Sequence, residues 1–323
     1  MRAVRVNEHG GPEAMVVEEV NTPEPGLGEA RVQIEAAGVN FIDVYHRTGQ
    51  YSLDVPATLG VEGAGVVDAV GPDVTHVETG DRVAYAMQIG SYAEQAVVPS
   101  WKLVPVPDDV DTRQAAALML QGMTAHYLTH DTYQLGSGDT ALVYAPAGGV
   151  GQLLVQLCKH KGARVIGVTS TEEKAQIAAN MGADEVVLYT AQEIESEVDR
   201  ITDGEGVDVA YESVGRATFE QSLNCLKPRG YCVLYGQASG AVEPLDPQVL
   251  NAQGSLFLTR PSLGHYAMSQ AEIRGRADDL FGWVRGGQLS LSVDREFALS
   301  DAAEAHRHLE GRQSKGKLLL TTS

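Results

Sequence analysis

The chain has 323 residues, 43% of them hydrophobic and 21% charged, which is long for one ordinary core and too apolar for a disordered chain. With 24 Lys and Arg against 43 Asp and Glu, the net charge is −19, which excludes nucleic acid and an anionic membrane surface as partners, since both would be repelled. No apolar run approaches the roughly 18 residues of a membrane span, and no basic-plus-apolar leader stands before the first strand, so a cytoplasmic protein is expected.

Residues 1–7 alternate as a strand, 9–12 turn, and 15–20 return as a second strand. A Pro/Gly loop over 21–28 leads to another alternating run at 30–37, and the period then lengthens toward a short helix across 38–45. Residues 58–65 are punctuated by glycine and lead into a strand at 66–70; 79–86 read as turn then strand, and 91–98 as one strand more. Many short strands joined by Gly/Pro turns predict a β-rich, barrel-like domain. A helix over 111–130 carries the chain into a second domain. There, six strand candidates at 140–145, 164–168, 185–189, 207–211, 230–235 and 255–258 alternate with helices, the pattern of a doubly wound parallel sheet of the Rossmann type. Beyond about residue 261 the pattern breaks into a helix (269–285), a strand near 295–297, a helix (301–309) and a strand (317–321), a tail expected to rejoin the first domain. The domains are therefore expected at 1–121 with 263–323, and at 122–262.

The most informative stretch follows the strand at 140–145. Gly148, Gly149 and Gly151 make a tight turn, and residues 152–161 carry apolar side chains at helical spacing. Strand, glycine turn and helix together form a phosphate cradle: the helix N-terminus offers amide N–H groups and partial positive charge, and the absent side chains admit a pyrophosphate to the backbone. Pro146 fills the first glycine place of G-x-G-x-x-G and has no N–H to give, so the phosphates are expected on Gly149, Val150 and the helix start. An NAD site carries an acid about 20 residues past the turn. Here the second strand ends in Thr169 and Ser170, small hydroxyl residues, and Glu172 and Glu173 fall where they complement the next helix dipole, with Ser170 or Thr171 as cap. Lys174 is placed to meet a 2′-phosphate, which favours NADPH over NADH. Ser213, Tyr235, Gly236 and Arg260 lie at or after the C-terminal ends of strands, where ligands of such sheets bind. Arg260, directly before Pro261, reads as a cofactor or interdomain contact. Cys158, Cys225 and Cys232 read as small buried residues, and His126 and His130, four apart on a helix, as structural.

Several segments together resemble a known family: His9-Gly-Gly-Pro-Glu13, Gly38-Val-Asn-Phe-Ile-Asp43, Gly60-Val-Glu-Gly-Ala-Gly65, Gly80-Asp-Arg-Val83, Gly138-Asp139 before Ala147-Gly-Gly-Val-Gly151, Ser213-Val-Gly215 and Thr259-Arg-Pro-Ser262. In this order they are similar to the zinc-free quinone oxidoreductase (zeta-crystallin-like) branch of the medium-chain dehydrogenases/reductases, over nearly the whole chain. The resemblance implies an α/β fold with a Rossmann domain and a GroES-like barrel domain, NADPH as cofactor, and a homodimer built through the Rossmann sheets, for which 255–258 is the exposed edge. Zinc-dependent relatives use a Cys and a Gly-His-Glu triplet as ligands. This chain has Asn40 and Val61 at those places and no Cys before position 158, so no metal is expected.

The resemblance also assigns roles. Asn40, Phe41, Ile42, Asp43 and Tyr45 are implied to line the nicotinamide side of a cleft between the domains, with Tyr51, Thr124 and Tyr127 near it; Lys174, Tyr189 and Arg312 are implied to hold the 2′-phosphate, with Lys315 and Lys317 as substitutes for Arg312. The side chains suit that task. Asn40 can donate an amide N–H to a quinone or enone oxygen, and Tyr45 or Tyr51 can donate a phenolic proton or stack on a planar ring, although Tyr51 fits equally well as a loop aromatic packed on the domain face. Asp43 reads as a structural hydrogen-bonding residue, and Thr124 either bonds the carboxamide or caps the helix. The expected activity is metal-independent reduction of quinones by NADPH, by hydride or one-electron transfer. The alternatives are reduction of alkenal or enone double bonds on the same residues, and a non-catalytic, crystallin-like NADPH-binding protein.

Overall fold

The computed structural model describes residues 1–322, which form two compact units. The first comprises Met1–Met123, Ala267–Gly287 and residues 291–322, and the second Thr124–Tyr266 with Gln288–Ser290. No helix among the described residues is long and apolar enough to cross a membrane.

The N-terminal part of the first unit holds β1 (Arg2–Val6), β2 (Met15–Glu19), β3 (Glu29–Val39), α1 (Phe41–Arg47), β4 (Ala57–Thr58), β5 (Glu62–Val70), β6 (Arg82–Ala86), β7 (Gln95–Pro99), β8 (Val104–Pro105) and most of α2 (Thr112–Tyr127). The long strand β3 is the organiser, pairing antiparallel with β5 and β7. Strand β5 begins at Glu62, so the second half of the glycine-rich run expected to precede a strand is already strand. The reason is close approach: a side chain at Gly65 would overlap the Gln33 carbonyl oxygen of β3, so only glycine lets the two backbones pair there.

The second unit holds β9 (Thr140–Tyr144), α3 (Gly149–His160), β10 (Arg164–Thr169), α4 (Glu172–Asn180), β11 (Glu185–Leu188), α5 (Ile194–Ile201), β12 (Val207–Glu212), α6 (Phe219–Asn224), β13 (Leu226–Leu234), α7 (Pro247–Ala252) and β14 (Phe257–Thr259). All six strands are parallel, in the order β11-β10-β9-β12-β13-β14. This is the expected doubly wound sheet, with its topological switch between β9 and β12. Leu142, Ile166, Val187, Val207, Ala210 and Cys232 face the helices as a continuous apolar core. The near-unbroken apolar runs are what burial of a parallel sheet on both faces demands. The last turn of α2 opens this unit and passes into a π-helical segment, Leu128–Thr132, which sequence periodicity did not anticipate.

The chain then returns to the first unit as α8 (Gln270–Arg285), β15 (Val293–Ala298), α9 (Ala302–Glu310) and β16 (Lys317–Thr321). β16 pairs antiparallel with β3, completing the path β15-β16-β3-β5-β6-β8. Ile34, Val67, Val83, Leu318 and Leu320 meet in one core cluster, with α9 contributing Ala302, Ala305 and Leu309.

Candidate active site

In the second unit, β9 ends at Tyr144 and Ala145 turns the chain with a left-handed φ of 50°. The Gly148 N–H donates to the Ala145 carbonyl (2.9 Å), and the Gln152 N–H donates to the Gly148 carbonyl (2.9 Å), which starts α3. Gly149, Val150 and Gly151 are therefore the first turn of the helix, which begins three residues before the expected start at 152. A side chain on Gly151 would overlap the Ala145 carbonyl oxygen, so glycine is required for the turn to close. Gln152 reaches back through Nε2 to the Ala147 carbonyl (2.8 Å) and braces it. The result is a tight turn that passes directly into a helix N-terminus, where the first amides have no acceptor within the helix.

At the neighbouring strand ends, the Tyr189 N–H donates to the Thr169 carbonyl (3.1 Å) and Thr190 Oγ1 donates to the Ser170 carbonyl (3.0 Å). Ser170 and Tyr189 are thus held side by side beyond β10 and β11, with the Tyr189 ring 42% exposed. Thr171, rather than Ser170, is the helix cap: its Oγ1 accepts the Lys174 N–H (3.2 Å), so Lys174 closes the first turn of α4 beside them. Ser170, Lys174 and Tyr189 are brought together; Arg312 belongs to the other unit, in the turn after α9 with φ 57°.

Ser213 Oγ donates to the Tyr144 carbonyl (3.4 Å), linking the ends of β12 and β9. The Tyr235 and Gly236 N–H groups both donate to the Glu212 carbonyl, at 2.9 and 3.3 Å. Burial pushes the Tyr235 phenol upward, partly opposed by its hydrogen bond with Ser213. Arg260 follows β14, and its Nη1 donates to the Pro261 carbonyl (3.2 Å). Tyr127 is buried and stacked on Tyr266, with centroids 4.3 Å apart and planes 8° from parallel; Thr124 is buried too. His126 and His130 stack at 4.2 Å, and burial beside His126 lowers His130 to about 4.

In the first unit, Phe41, Ile42, Asp43 and Tyr45 lie on α1, and Tyr51 follows it with its N–H on the Tyr45 carbonyl (3.0 Å). The Tyr45 and Tyr51 rings sit 5.1 Å apart and Phe41 lies 6.3 Å from Tyr45, so these three form one aromatic cluster. Asn40 departs from its expected role as an outward donor. Its Nδ2 donates to the Gly38 carbonyl (3.2 Å) and to Glu62 Oε2 (2.9 Å), and its Oδ1 accepts from Lys317 Nζ (2.8 Å). One amide hydrogen goes to a backbone carbonyl and the other to the buried Glu62 carboxylate, while the amide oxygen meets the buried Lys317 ammonium; the side chain is committed inward because both buried charges have to be satisfied. Lys317, considered as a substitute 2′-phosphate cation, is likewise consumed here, 2% exposed.

Asp43 is fully buried, and its Oδ2 accepts the Asn40 N–H (2.9 Å) and the Tyr92 hydroxyl (3.0 Å). Desolvation raises its carboxyl to about 7 despite these bonds. Tyr92 is in turn 3.2 Å from His306 Nε2, and Arg47 Nη1 donates to His306 Nδ1 (2.9 Å). An arginine on Nδ1 requires the ring proton on Nε2, so donation runs one way: Arg47 to His306 to Tyr92 to Asp43. Burial and the Arg47 charge lower His306 to about 3. Arg47 also holds Glu310 through its two terminal guanidinium nitrogens (2.7 and 3.0 Å). Both ends of α1, Asp43 and Arg47, are tied by one polar chain. Sequence reasoning singled out neither Tyr92 nor His306 as partners of Asp43, because they are 49 and 214 residues away from the groups they bond.

Among the described residues no group of three or more His, Cys, Asp or Glu is arranged to hold a metal ion.

Comparison with known proteins agrees with this architecture. The family described as alcohol dehydrogenase GroES-like domain matches residues 26–108, and the one described as zinc-binding dehydrogenase matches residues 149–280. A 2-haloacrylate reductase of Burkholderia sp. is 43% identical, covering 98% of each chain. A quinone oxidoreductase of Pseudomonas aeruginosa is 43% identical, covering 99% of each. The crystal structure of Escherichia coli quinone oxidoreductase complexed with NADPH is 38% identical, covers 99% of this chain and 100% of its own, and superposes with a TM-score of 0.97. Near-complete coverage at these identities, on a doubly wound sheet with a GroES-like partner, places the chain in the quinone oxidoreductase branch of the medium-chain dehydrogenase/reductase superfamily.

Proposed function

We propose that the protein is an NADPH-dependent reductase of quinones that works without a metal ion. The observation that carries this reading is the second unit's pair of anion features: the first turn of α3, closed by Gly151, and the Ser170–Lys174–Tyr189 group at the ends of β10 and β11. A pyrophosphate fits the first and a 2′-phosphate the second, and the strand end holds no carboxylate to repel that phosphate. When bound, the cofactor supplies a hydride. The chain's own part is to bind and orient: Gly149, Val150 and Gly151 for the phosphates, Ser213, Tyr235 and Gly236 along the switch point, and Lys174 for the 2′-phosphate, with Arg260 as a further cation.

The acceptor is a planar conjugated carbonyl. The cluster of Phe41, Tyr45 and Tyr51 suits stacking on such a ring, and a phenolic hydroxyl there suits hydrogen bonding to the oxygen that gains charge. Asn40 acts through its backbone and its inward bonds, holding the start of α1. Lys317 stands against Glu62 and Asn40 in the role of a fixed cation, which supports a metal-free site. Reduction of an activated carbon–carbon double bond is a second reading, favoured by the 43% identity to a 2-haloacrylate reductase. We further propose a homodimer joined at β14, which ends the six-stranded sheet with Phe257 49% exposed. A reducing, cytoplasmic compartment accords with three buried and unpaired cysteines.

The test is anaerobic oxidation of NADPH, with NADH in parallel, against 1,4-benzoquinone, 9,10-phenanthrenequinone and an alkenal, with EDTA present. Quinone turnover that prefers NADPH and ignores EDTA is expected. Turnover on the alkenal alone transfers the activity to double-bond reduction, and NADPH binding with no turnover removes the enzyme reading.

A further inference from the structure

Glu212 closes β12 with its side chain wholly out of solvent, yet it is held by neutral donors. Its Oε1 accepts the backbone N–H groups of Val214 (2.5 Å) and Gly215 (3.0 Å). Its Oε2 accepts the hydroxyls of Thr218 (2.8 Å) and Ser222 (2.6 Å), the latter on α6. A buried carboxylate is costly unless its lone pairs are filled, and four donors fill these. The same residue's carbonyl oxygen takes the Tyr235 and Gly236 N–H groups. One residue therefore fixes the main chain after β12 by its side chain and the main chain after β13 by its backbone.

Its place in the topology gives this arrangement a consequence. The strand order reverses direction between β9 and β12, and the ligand crevice of such a sheet opens at the ends of those two strands. Ser213, immediately after Glu212, bonds the Tyr144 carbonyl across that point. Gly215 turns with a φ of 89°, a conformation that needs an external restraint to be the one populated. We infer that Glu212 is a positioning residue for the cofactor: by holding the 213–215 turn and the 235–236 corner in their binding geometry, it removes the ordering cost that NADPH would otherwise meet at one wall of the crevice. This rests on the NADPH reading above. It assigns the residue no contact with cofactor or acceptor, and hence no part in the chemical step.

The test compares wild type with Glu212→Gln and Ser222→Ala in the full chain. Glutamine keeps the size and an acceptor for the two amides but makes both bonds neutral; alanine at 222 takes one donor from Oε2 without touching the turn. The NADPH dissociation constant is read by fluorescence titration, kcat at saturating NADPH by turnover, and amide hydrogen exchange at Val214 and Gly215 against core amides such as that of Leu142. Glu212→Gln is expected to raise the dissociation constant fivefold or more, leave kcat at saturation within twofold, and speed exchange at 214 and 215 alone. Ser222→Ala is expected to move the same quantities in the same direction by less, and it decides the matter if the glutamine variant does not fold. An unchanged dissociation constant in a folded variant, or a general rise in exchange that includes Leu142, overturns the inference while leaving the NADPH reading intact. Failure of wild type itself to bind NADPH overturns that reading, and this inference with it.

Discussion

Lys317 Nζ lies 2.5 Å from Glu62 Oε2, an ion pair between residues 255 apart in sequence with both side chains buried. The Leu120 N–H (2.6 Å) takes the second carboxylate oxygen and Asn40 bridges the pair, so the charges are fully engaged. Such a pair adds little over an apolar substitute but is costly to break, because the survivor is a lone buried charge. Lys317→Met is expected to destabilise the protein by about 3–5 kcal/mol, a fall in melting midpoint of roughly 6 °C or more. Adding Glu62→Gln to that variant is expected to recover at least half of the loss. Calorimetric melting of the two single variants and the double variant closes the cycle, and an additive double variant contradicts the coupling.

Asp43 and His306 have opposite effects on stability across the acid range. The Asp43 carboxyl rises from 3.8 to about 7 on folding, so its favourable contribution is complete below pH 3.8 and is lost as pH rises through 7. His306 falls from 6.5 to about 3, so its contribution is complete above pH 6.5 and is lost as pH falls through 3. Between about pH 4 and 6.5 the two slopes oppose each other. Asp43→Asn is expected to make stability climb more steeply with pH in that window, and His306→Gln to make it fall with pH. Urea midpoints at pH 4.5, 5.5 and 6.5 measure both, and parallel curves for the three proteins would contradict the assignment.

Gly151→Ala places a side chain against the Ala145 carbonyl oxygen at the turn that starts α3. The backbone has to yield there, and the leading amides of the helix move with it. NADPH affinity is expected to fall at least tenfold, read by fluorescence titration, with quinone turnover falling in parallel at fixed cofactor.

Lys174→Ala should separate the two nicotinamide cofactors. Loss of one charge-assisted bond to a 2′-phosphate is worth about 1.5–3 kcal/mol, or roughly 10- to 100-fold in kcat/KM for NADPH. NADH lacks that phosphate, and its kcat/KM is expected to stay within about twofold. Equal loss with both cofactors would place Lys174 outside the 2′-phosphate site.

Phe257→Lys puts a charge on the outer strand of the six-stranded sheet, where Phe257 stacks on Tyr231 at 4.4 Å. An edge used for pairing tolerates no buried lysine. Light scattering is expected to show the wild type at twice the chain mass and the variant at the chain mass; a dimeric variant rejects this edge as the interface.

The succession of strands and helices that makes the doubly wound sheet, and the glycine turn after β9, were readable from the chain alone, because each is local: β-branched runs, glycine and helix-capping residues report their own backbone's conformation and burial. Strand limits near glycine were harder. The run before residue 66 pairs as β5 only because Gly65 lies against Gln33, and that contact is not written in either segment. Asn40 shows the boundary most clearly. Its position at the start of α1 followed from its neighbours, but the direction of its amide did not, since that depends on Glu62 and on Lys317 at the far end of the chain. The hydrogen-bond partners of Glu212, Tyr92 and His306 were decided in the same way. Buried polar groups take whichever partners the packing presents, and the penalty for leaving one unfilled is set by tertiary surroundings rather than by sequence spacing.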